Sequence, residues 1–372
     1  MRVGADGMYM RFQRTGLGHF QDGLLHALAA ELGTSDELFV YYNSLPAPPL
    51  FQAPVRERFV RMPRPLAWNQ LGVPAALALD RCDVYLGSAN IVPALGREPK
   101  VLHVHDCLPF SNPDAHPGSR GRYLRRWMKA SAKRAARLTA NSRWAAEQAE
   151  RYLGLRASDF VVVPPGVDAR FGPEPAGVDE EQRVRALVGS SSPYVLHVGA
   201  FEAHKGGDEL VAAVNNLRAE GRDVTLVRCG GPGPQRAADD AVDLGYVDDA
   251  ILPALYRQAT VVVVPSRAEG FGMPAIEAMA SGAPIVASRA GALPETTGEA
   301  ALLVDLGDIS GLAAAIGRLL DRGEEWSRLR AAGLARARGY TWASAAKLML
   351  GVLREAAEAG DNEARRLDPA QP

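Results

Sequence analysis

Cysteine is scarce in this chain. Cys82, Cys107 and Cys229 are odd in number and far apart, which excludes a disulfide framework and fits a reducing cytosol. An excess of charge of one sign is also missing: the formal net charge is −1, so bulk charge argues for neither a nucleic-acid nor an acidic partner. No uninterrupted apolar run approaches the roughly 20 residues of a membrane span. The first residues, MRVGADGMYM, lack the apolar core of a signal peptide. We therefore expect a cytoplasmic protein. Peripheral contact with the inner face of a membrane stays open through one basic stretch, Arg120, Arg122, Arg125, Arg126, Lys129, Lys133, Arg134 and Arg137, although a solvated helix face accounts for the same residues.

Two more absences narrow the chemistry. Gly16-Leu17-Gly18 opens a helical pattern over His19 to Leu32, but Gln21 stands where the third glycine of a dinucleotide fingerprint belongs. The pair also follows its strand by about ten residues rather than directly, so an NAD-dependent oxidoreductase is poorly supported. No Asp-x-Asp motif marks a metal site, and His103 and His105 form a His-x-His pair with no obvious third ligand.

What the chain does have is strand–helix alternation. Its 372 residues exceed one ordinary domain, and 47% hydrophobic content suffices for two cores. The most organised stretch is VVVVPSRAEGFGMPAIE, Val261 to Glu277. Four valines read as a strand buried on both faces, a polar loop follows, and Pro274 suits the first turn of a helix. The loop then lies at the carboxyl end of a parallel strand, where open α/β sheets bind ligands. Glu269 and Glu277 supply acceptors. Gly270 and Gly272 allow close backbone approach, and the amides of Phe271 to Met273 can donate. Acceptors and free donors together suit a polyhydroxylated ligand such as a sugar.

Two other stretches carry candidate chemistry. VLHVHD, Val101 to Asp106, is a strand whose alternation puts His103 and His105 on one side and Asp106 on the other. Asp106 either orients a ligand or caps the next turn, and His103 is the weaker candidate, readable as a packed core histidine. In the second half, the strand Tyr194 to Val198 leads through GAFEAHKGG to a helix from Asp208. Lys205 before that helix suits a pyrophosphate, because point charge, free amides and dipole agree in sign. The glycine-rich turn Cys229 to Gly233 is a plausible pocket wall. The proline- and arginine-rich segment from Leu45 to Pro74 reads as irregular, and an acceptor role for it is open.

EGFGMPAIEAMASGAPIVAS resembles the Glu-x7-Glu signature of glycosyltransferase family 4, retaining enzymes of GT-B fold, in the mannosyltransferase-like group. The likeness extends over nearly the whole chain: HDCLPFSNPDAHP resembles the family's "HD" strand end, PPGVDARF its "PNGVD" turn with Pro165 for Asn, and SRAGALPE its "GGLPE" loop. It implies two Rossmann-like doubly wound α/β domains facing a central cleft: an acceptor-side domain over 1–175, a donor domain over 176–340 after a linker from Gly172 to Gly177, a terminal helix over 341–358 crossing back to the first domain, and a disordered polar tail over 359–372.

The same resemblance implies roles. His105, Lys205 and Glu269 would be catalytic: His105 contacts the transferred sugar or acceptor, Lys205 takes the donor phosphates, and Glu269 binds the transferred sugar rather than acting as a nucleophile. Donor binding would fall to Gly16, Gly18, His204, Tyr246, Val247, Phe271, Gly272, Met273 and Glu277, the last on the ribose hydroxyls, and acceptor binding to Asp106. The family usually has an arginine at the position of Ala200 or of His204; His204 can share that role if protonated. No metal and no cofactor is implied. The donor would be a nucleotide-diphosphate sugar, with the HD loop tilting towards GDP-mannose over UDP-glucose, and the acceptor a sugar, lipid-linked or small-molecule hydroxyl. A catalytically silent sugar-nucleotide or glycan-binding protein of this fold is the alternative, kept open by Ala200 and His204.

Overall fold

The computed structural model describes every residue except 12–15, 46, 53, 191, 201–202, 232–240 and 368–372, and backbone alone at 115, 203 and 361–367. The chain folds as two units, Met1–Gly166 with Thr341–Pro372, and Val167–Tyr340.

The first unit is built on a parallel sheet of β1 (Arg2–Asp6), β2 (Glu37–Tyr42), β3 (Arg56–Phe59), β4 (Val84–Gly87), β5 (Lys100–Val104), β6 (Arg137–Ala140) and β7 (Phe160–Val162), in the order β3-β2-β1-β4-β5-β6-β7. The second unit repeats the plan with β8 (Tyr194–Val198), β9 (Thr225–Cys229), β10 (Val242–Asp243), β11 (Val261–Val264), β12 (Ile285–Ser288) and β13 (Ala301–Val304), in the order β10-β9-β8-β11-β12-β13. Both orders run outward, return to the middle and continue on the other side, the doubly wound Rossmann plan. Its switch points lie between β1 and β4, and between β8 and β11.

The apolar strands require cover on both faces, and the alternation shows it. In β11, Val262 and Val264 pack with Ile276 and Met279, whereas Val261 and Val263 pack with Leu210 and Ile316 on the opposite face. Each fully buried side chain of this kind contributes about 1.5–3 kcal/mol of transfer free energy. In the first unit, Phe20, Leu24, Leu25 and Leu28 of the Gly16–Glu31 helix share a core with Ala345, Ala346, Met349 and Leu353 of the terminal helix.

Four boundaries differ from expectation. The first helix begins at Gly16 rather than His19, so the Gly-x-Gly pair is inside its first turn. The segment from Leu45 to Pro74 is not irregular throughout: it contains β3, whose RERF sequence carries three charges and pairs only with β2 at the sheet edge, where charge is tolerated. The division falls at Gly166 and Val167, before residue 175. There Val167 N–H donates to Tyr340 O (3.0 Å), Phe171 enters the second core, and Arg257 binds Gly172 O (3.0 Å), so the proline-rich linker is tied to the second unit. The terminal helix runs to Leu367, past 358, because nothing after Glu358 but Gly360 breaks its pattern before Pro369.

The basic stretch spans the Gly118–Ala132 helix, the turn after it and Arg137, the first residue of β6. Arg125 caps Pro109 O (2.9 Å) and Lys129 lies over the Phe110 ring. No helix among the described residues is long and apolar enough to cross a membrane.

Candidate functional site

The second switch point assembles two loops. After β8 the chain turns through Gly199 and the short Ala203–Lys205 turn into the Gly207–Ala219 helix; Phe201 and Glu202 of the GAFEAHKGG stretch lie outside the described residues. Gly206 adopts φ +68°, and a side chain there would meet the Pro265 carbonyl oxygen at 2.1 Å, so only glycine permits the β8 loop to lie against the end of β11. Arg267 N–H donates to His204 O (2.8 Å), which seals the same junction.

This contact brings Lys205 to Glu269. Lys205 Nζ donates to Glu269 Oε1 at 2.6 Å, and Ser266 Oγ donates to the same oxygen at 2.8 Å. Burial would raise the Glu269 pKa, but the Lys205 ammonium and its hydrogen bond, helped by Ser266, hold it below the ordinary carboxylate range. It is therefore an ionised acceptor at neutral pH. Ala292 N–H fixes the loop by donating to Glu269 O (2.9 Å), and Ser288 Oγ donates to Ser266 O.

Glu277 lies further along, in the Met273–Ser281 helix, and is buried. Tyr256 Oη donates to its Oε2 at 2.9 Å. Burial is the main cause that pushes Glu277 up to about 7; Tyr256 and the Arg170 charge oppose it, and Asp249 and Asp168 add to it. Gly272, at φ +98°, caps this helix, where a side chain would strike Leu293. Phe271 is buried against the Tyr340 ring, and Met273 is the first helical residue. In that first turn Pro274 has no N–H, and the Ala275 amide donates to Gly272 O (2.9 Å). Across the sheet, Gly230 N–H donates to Gly245 O (2.8 Å) and Gly199 N–H to Cys229 O (2.8 Å). Beside this glycine junction Tyr246 is exposed while Val247 packs on the core; Pro232 and Gly233 of the expected pocket wall lie outside the described residues.

The first switch point is furnished otherwise. Asp6 ends β1, and its Oδ1 accepts from Met8 N–H (2.8 Å). Burial outweighs that bond and the one from Gln21 and pushes Asp6 up to about 6. Gln21 Nε2 donates to Ser88 Oγ (2.8 Å), Ser88 Oγ donates to Asp6 O (3.0 Å), and Gln21 Oε1 accepts from Tyr9 N–H (2.9 Å). The residue standing in for the third glycine is thus a buried brace. His105 Nε2 donates to Ser88 O (2.7 Å), and burial lowers its pKa to about 4, so the ring is neutral. His103 is fully buried, stacked on Phe20 and bonded through Nδ1 to Thr139 Oγ1 (2.9 Å), as a packed core histidine would be. Both imidazoles pack against Phe20 and lie 4.7 Å apart, ring centre to ring centre, while their nitrogens bond to Thr139 Oγ1 and Ser88 O respectively. Asp106 Oδ1 accepts from Leu108 N–H (2.9 Å), which is a turn cap. Gly16 is exposed, with no described atom within 4 Å of where its Cβ would lie, and Gly18 is buried in the helix.

The structure thus joins Lys205, His204 and Glu269, and sets Glu277 apart with Tyr256. Asp6, Ser88, Ser266, Tyr256 and Arg170 were not singled out from sequence, and Gln21 was noted only as a missing glycine. Ser266 lies inside the loop that drew attention to Glu269, so it was within reach; the others depend on contacts between distant segments.

Two doubly wound units with polar switch points define a GT-B protein, and comparison with known proteins agrees. The family described as "Glycosyltransferase Family 4" matches residues 24–171, and "Glycosyl transferases group 1" matches residues 192–322. The O-antigen chain mannosyltransferase B of Escherichia coli is 30% identical over 66% of this chain and 67% of its own length. The MMP alpha-(1->4)-mannosyltransferase of Mycolicibacterium hassiacum is 40% identical over 52% of this chain and 48% of its own. The D-inositol 3-phosphate glycosyltransferase of Acidothermus cellulolyticus is 36% identical over 60% and 54%. The chain spans about half the length of these last two relatives. Among solved structures, sucrose-phosphate synthase from Thermosynechococcus elongatus superposes with TM-score 0.76 at 23% identity, over 96% of this chain and 99% of that one. Anabaena Alr3699/HepE in complex with UDP-glucose gives 0.75 at 17%, over 95% and 100%. The chain belongs to glycosyltransferase family 4.

Proposed function

We propose that this protein is a retaining hexosyltransferase that takes a sugar from a nucleoside-diphosphate donor without a metal ion. The observation that carries this reading is the Lys205–Glu269 pair at 2.6 Å, at the carboxyl edge of the switch between β8 and β11. The pair offers a cation for phosphate and an ionised acceptor for sugar hydroxyls within one site. Glu277 would accept from the ribose, and Phe271, Gly272 and Met273 would offer amides to the hexose. Tyr246 and Val247 would flank the base. We assign acceptor recognition to the first unit, through His105 and Asp106, with Gly16 and Gly18 near the transferred sugar.

In the reaction, the bond from the anomeric carbon to the phosphate oxygen breaks, and a bond to the acceptor oxygen forms on the same face. The acceptor's proton passes to the departing phosphate oxygen. Lys205 and the amides at the start of the Gly207–Ala219 helix stabilise the negative charge that develops on the diphosphate. No protein nucleophile is assigned, because Glu269 is already engaged by Lys205 and Ser266. Relatives named as mannosyltransferases support a mannosyl donor, and a neighbour solved with UDP-glucose supports a UDP donor.

A thermal-shift panel of UDP, GDP, ADP, dTDP and their hexoses, with NAD as control, tests the reading, since a ligand that binds only the folded state raises the melting temperature. A selective shift with one diphosphate series is expected, followed by acceptor-dependent donor turnover. A shift with NAD alone contradicts the assignment, and binding without turnover points to the silent binding protein.

A further inference from the structure

The lysine assigned to the donor phosphates is not waiting for them. Its ammonium is held by Glu269 at 2.6 Å, and Ser266 Oγ fixes the same carboxylate oxygen at 2.8 Å. Backbone contacts lock both sides of this pair. Arg267 N–H to His204 O joins the two loops, and Ala292 N–H to Glu269 O anchors the glutamate. Gly291 lies so close that a side chain there would reach Glu269 N at 2.5 Å. The carboxylate is thus placed by the fold, and the lysine is drawn to it.

A diphosphate arriving at Lys205 meets this carboxylate as a rival anion. A bare nucleoside diphosphate offers Glu269 nothing in return for its lost ammonium. A sugar-bearing donor offers hydroxyl donors, so the carboxylate exchanges one partner for another. Resting on the reading above, we propose that Glu269, positioned by Ser266, discriminates between the sugar-bearing donor and the bare nucleoside diphosphate. It competes with the diphosphate for Lys205 once the sugar has left and thereby favours release of that product. Two like charges near one cation at partly buried range interact strongly enough to change affinity on the order of tenfold.

Isothermal titration of UDP, GDP and their hexose conjugates into wild type, Glu269→Gln and Glu269→Ala tests this. We expect the bare diphosphate to bind on the order of tenfold more tightly to Glu269→Gln than to wild type, while affinity for the sugar conjugate is unchanged or falls. Glu269→Ala should show the same gain, so a folding defect in one variant leaves the other to decide. Most of the gain should vanish in Lys205→Ala/Glu269→Gln, measured against Lys205→Ala, because the competition runs through that lysine. Unchanged or weaker diphosphate binding in both glutamate variants overturns the proposal. So does a gain retained in full without Lys205, which would reduce Glu269 to a diffuse repulsive charge. If wild type binds neither diphosphate nor conjugate, the nucleotide-sugar reading itself falls and this inference with it.

Discussion

At the switch point of the second sheet, a lysine and an ionised glutamate meet at 2.6 Å; at that of the first, burial drives an aspartate up to about 6 and a histidine down to about 4. The strand orders around the two are alike, so topology alone does not set this difference. Loop chemistry does. In the second unit a glycine lets the β8 loop touch the β11 loop, and the contact delivers a cation to a carboxylate. In the first, Gln21 fills the corresponding gap and binds it with neutral donors. The same strand order thus carries an ion pair in the second unit and, in the first, a neutral histidine and an aspartate raised to about 6. The ion pair suits a phosphate, and the neutral histidine with its amide and hydroxyl neighbours suits hydroxyl groups, the division of labour that the proposed sugar transfer needs.

Removing the charge should have the largest effect. Lys205→Ala is predicted to lower turnover on the order of a thousandfold, by taking away the group that stabilises the departing diphosphate. Steady-state kinetics with saturating donor checks it, and a loss below tenfold would mean that the cation does not act on the leaving group.

Next comes the loop contact itself. Gly206→Ala is expected to destabilise the protein by about 3 kcal/mol, since the new methyl meets backbone rather than a yielding side chain, at a positive φ. Chemical denaturation with both units followed separately should locate the loss in the second unit.

Glu277 sharpens the contrast further, because its burial is not offset by a lysine. Its folded pKa of about 7 lies above the ordinary 4.5. The stability linked to its proton is therefore fully present below pH 4.5 and is lost as pH rises through about 7. Nucleotide binding should run the other way, if ribose hydroxyls donate to the carboxylate. Affinity is predicted to rise on the order of tenfold between about pH 6 and 8 and to be flat in Glu277→Gln. A wild-type pH profile identical to that of the variant would remove Glu277 from the ribose.

The smallest change is expected in the first unit. Gly16→Ala, at an exposed helix start with no described residue against it, should raise stability by up to about 1 kcal/mol. Donor binding measured on the same sample shows whether Gly16 touches the nucleotide sugar: a large loss of affinity assigns it to the site, and unchanged affinity releases it.

Much of the frame was legible in the sequence because parallel strands buried on both faces leave apolar runs such as VVVV and VLHV, and helices follow them at regular intervals. β3 was missed since RERF is an edge strand with no apolar signature, and β10 because two residues carry no period. The loop from Ser266 to Gly272 announced itself through its glutamates and glycines. What sequence spacing could not show was pairing across it. Lys205 and Glu269 lie far apart in the chain, and their contact depends on the β8 and β11 strands lying side by side. Likewise, Gln21 marked an absence in a fingerprint but became a brace only once β1 and β4 were neighbours. His103 resolved into a packed core histidine because its partners, Phe20 and Thr139, became visible, and Asp106 showed a capping bond from the Leu108 amide beside its proposed acceptor role.

The central claim is that the charged switch point of the second unit receives the nucleotide. A crystal structure with the nucleoside-diphosphate sugar selected by thermal shift tests it most directly. The account predicts the diphosphate against Lys205 and the first amides of the Gly207–Ala219 helix, with the ribose on Glu277 and Glu269 turned from the lysine to the hexose. A nucleotide seated instead on Asp6, Gln21 and Ser88, with the Lys205–Glu269 pair intact, would contradict it.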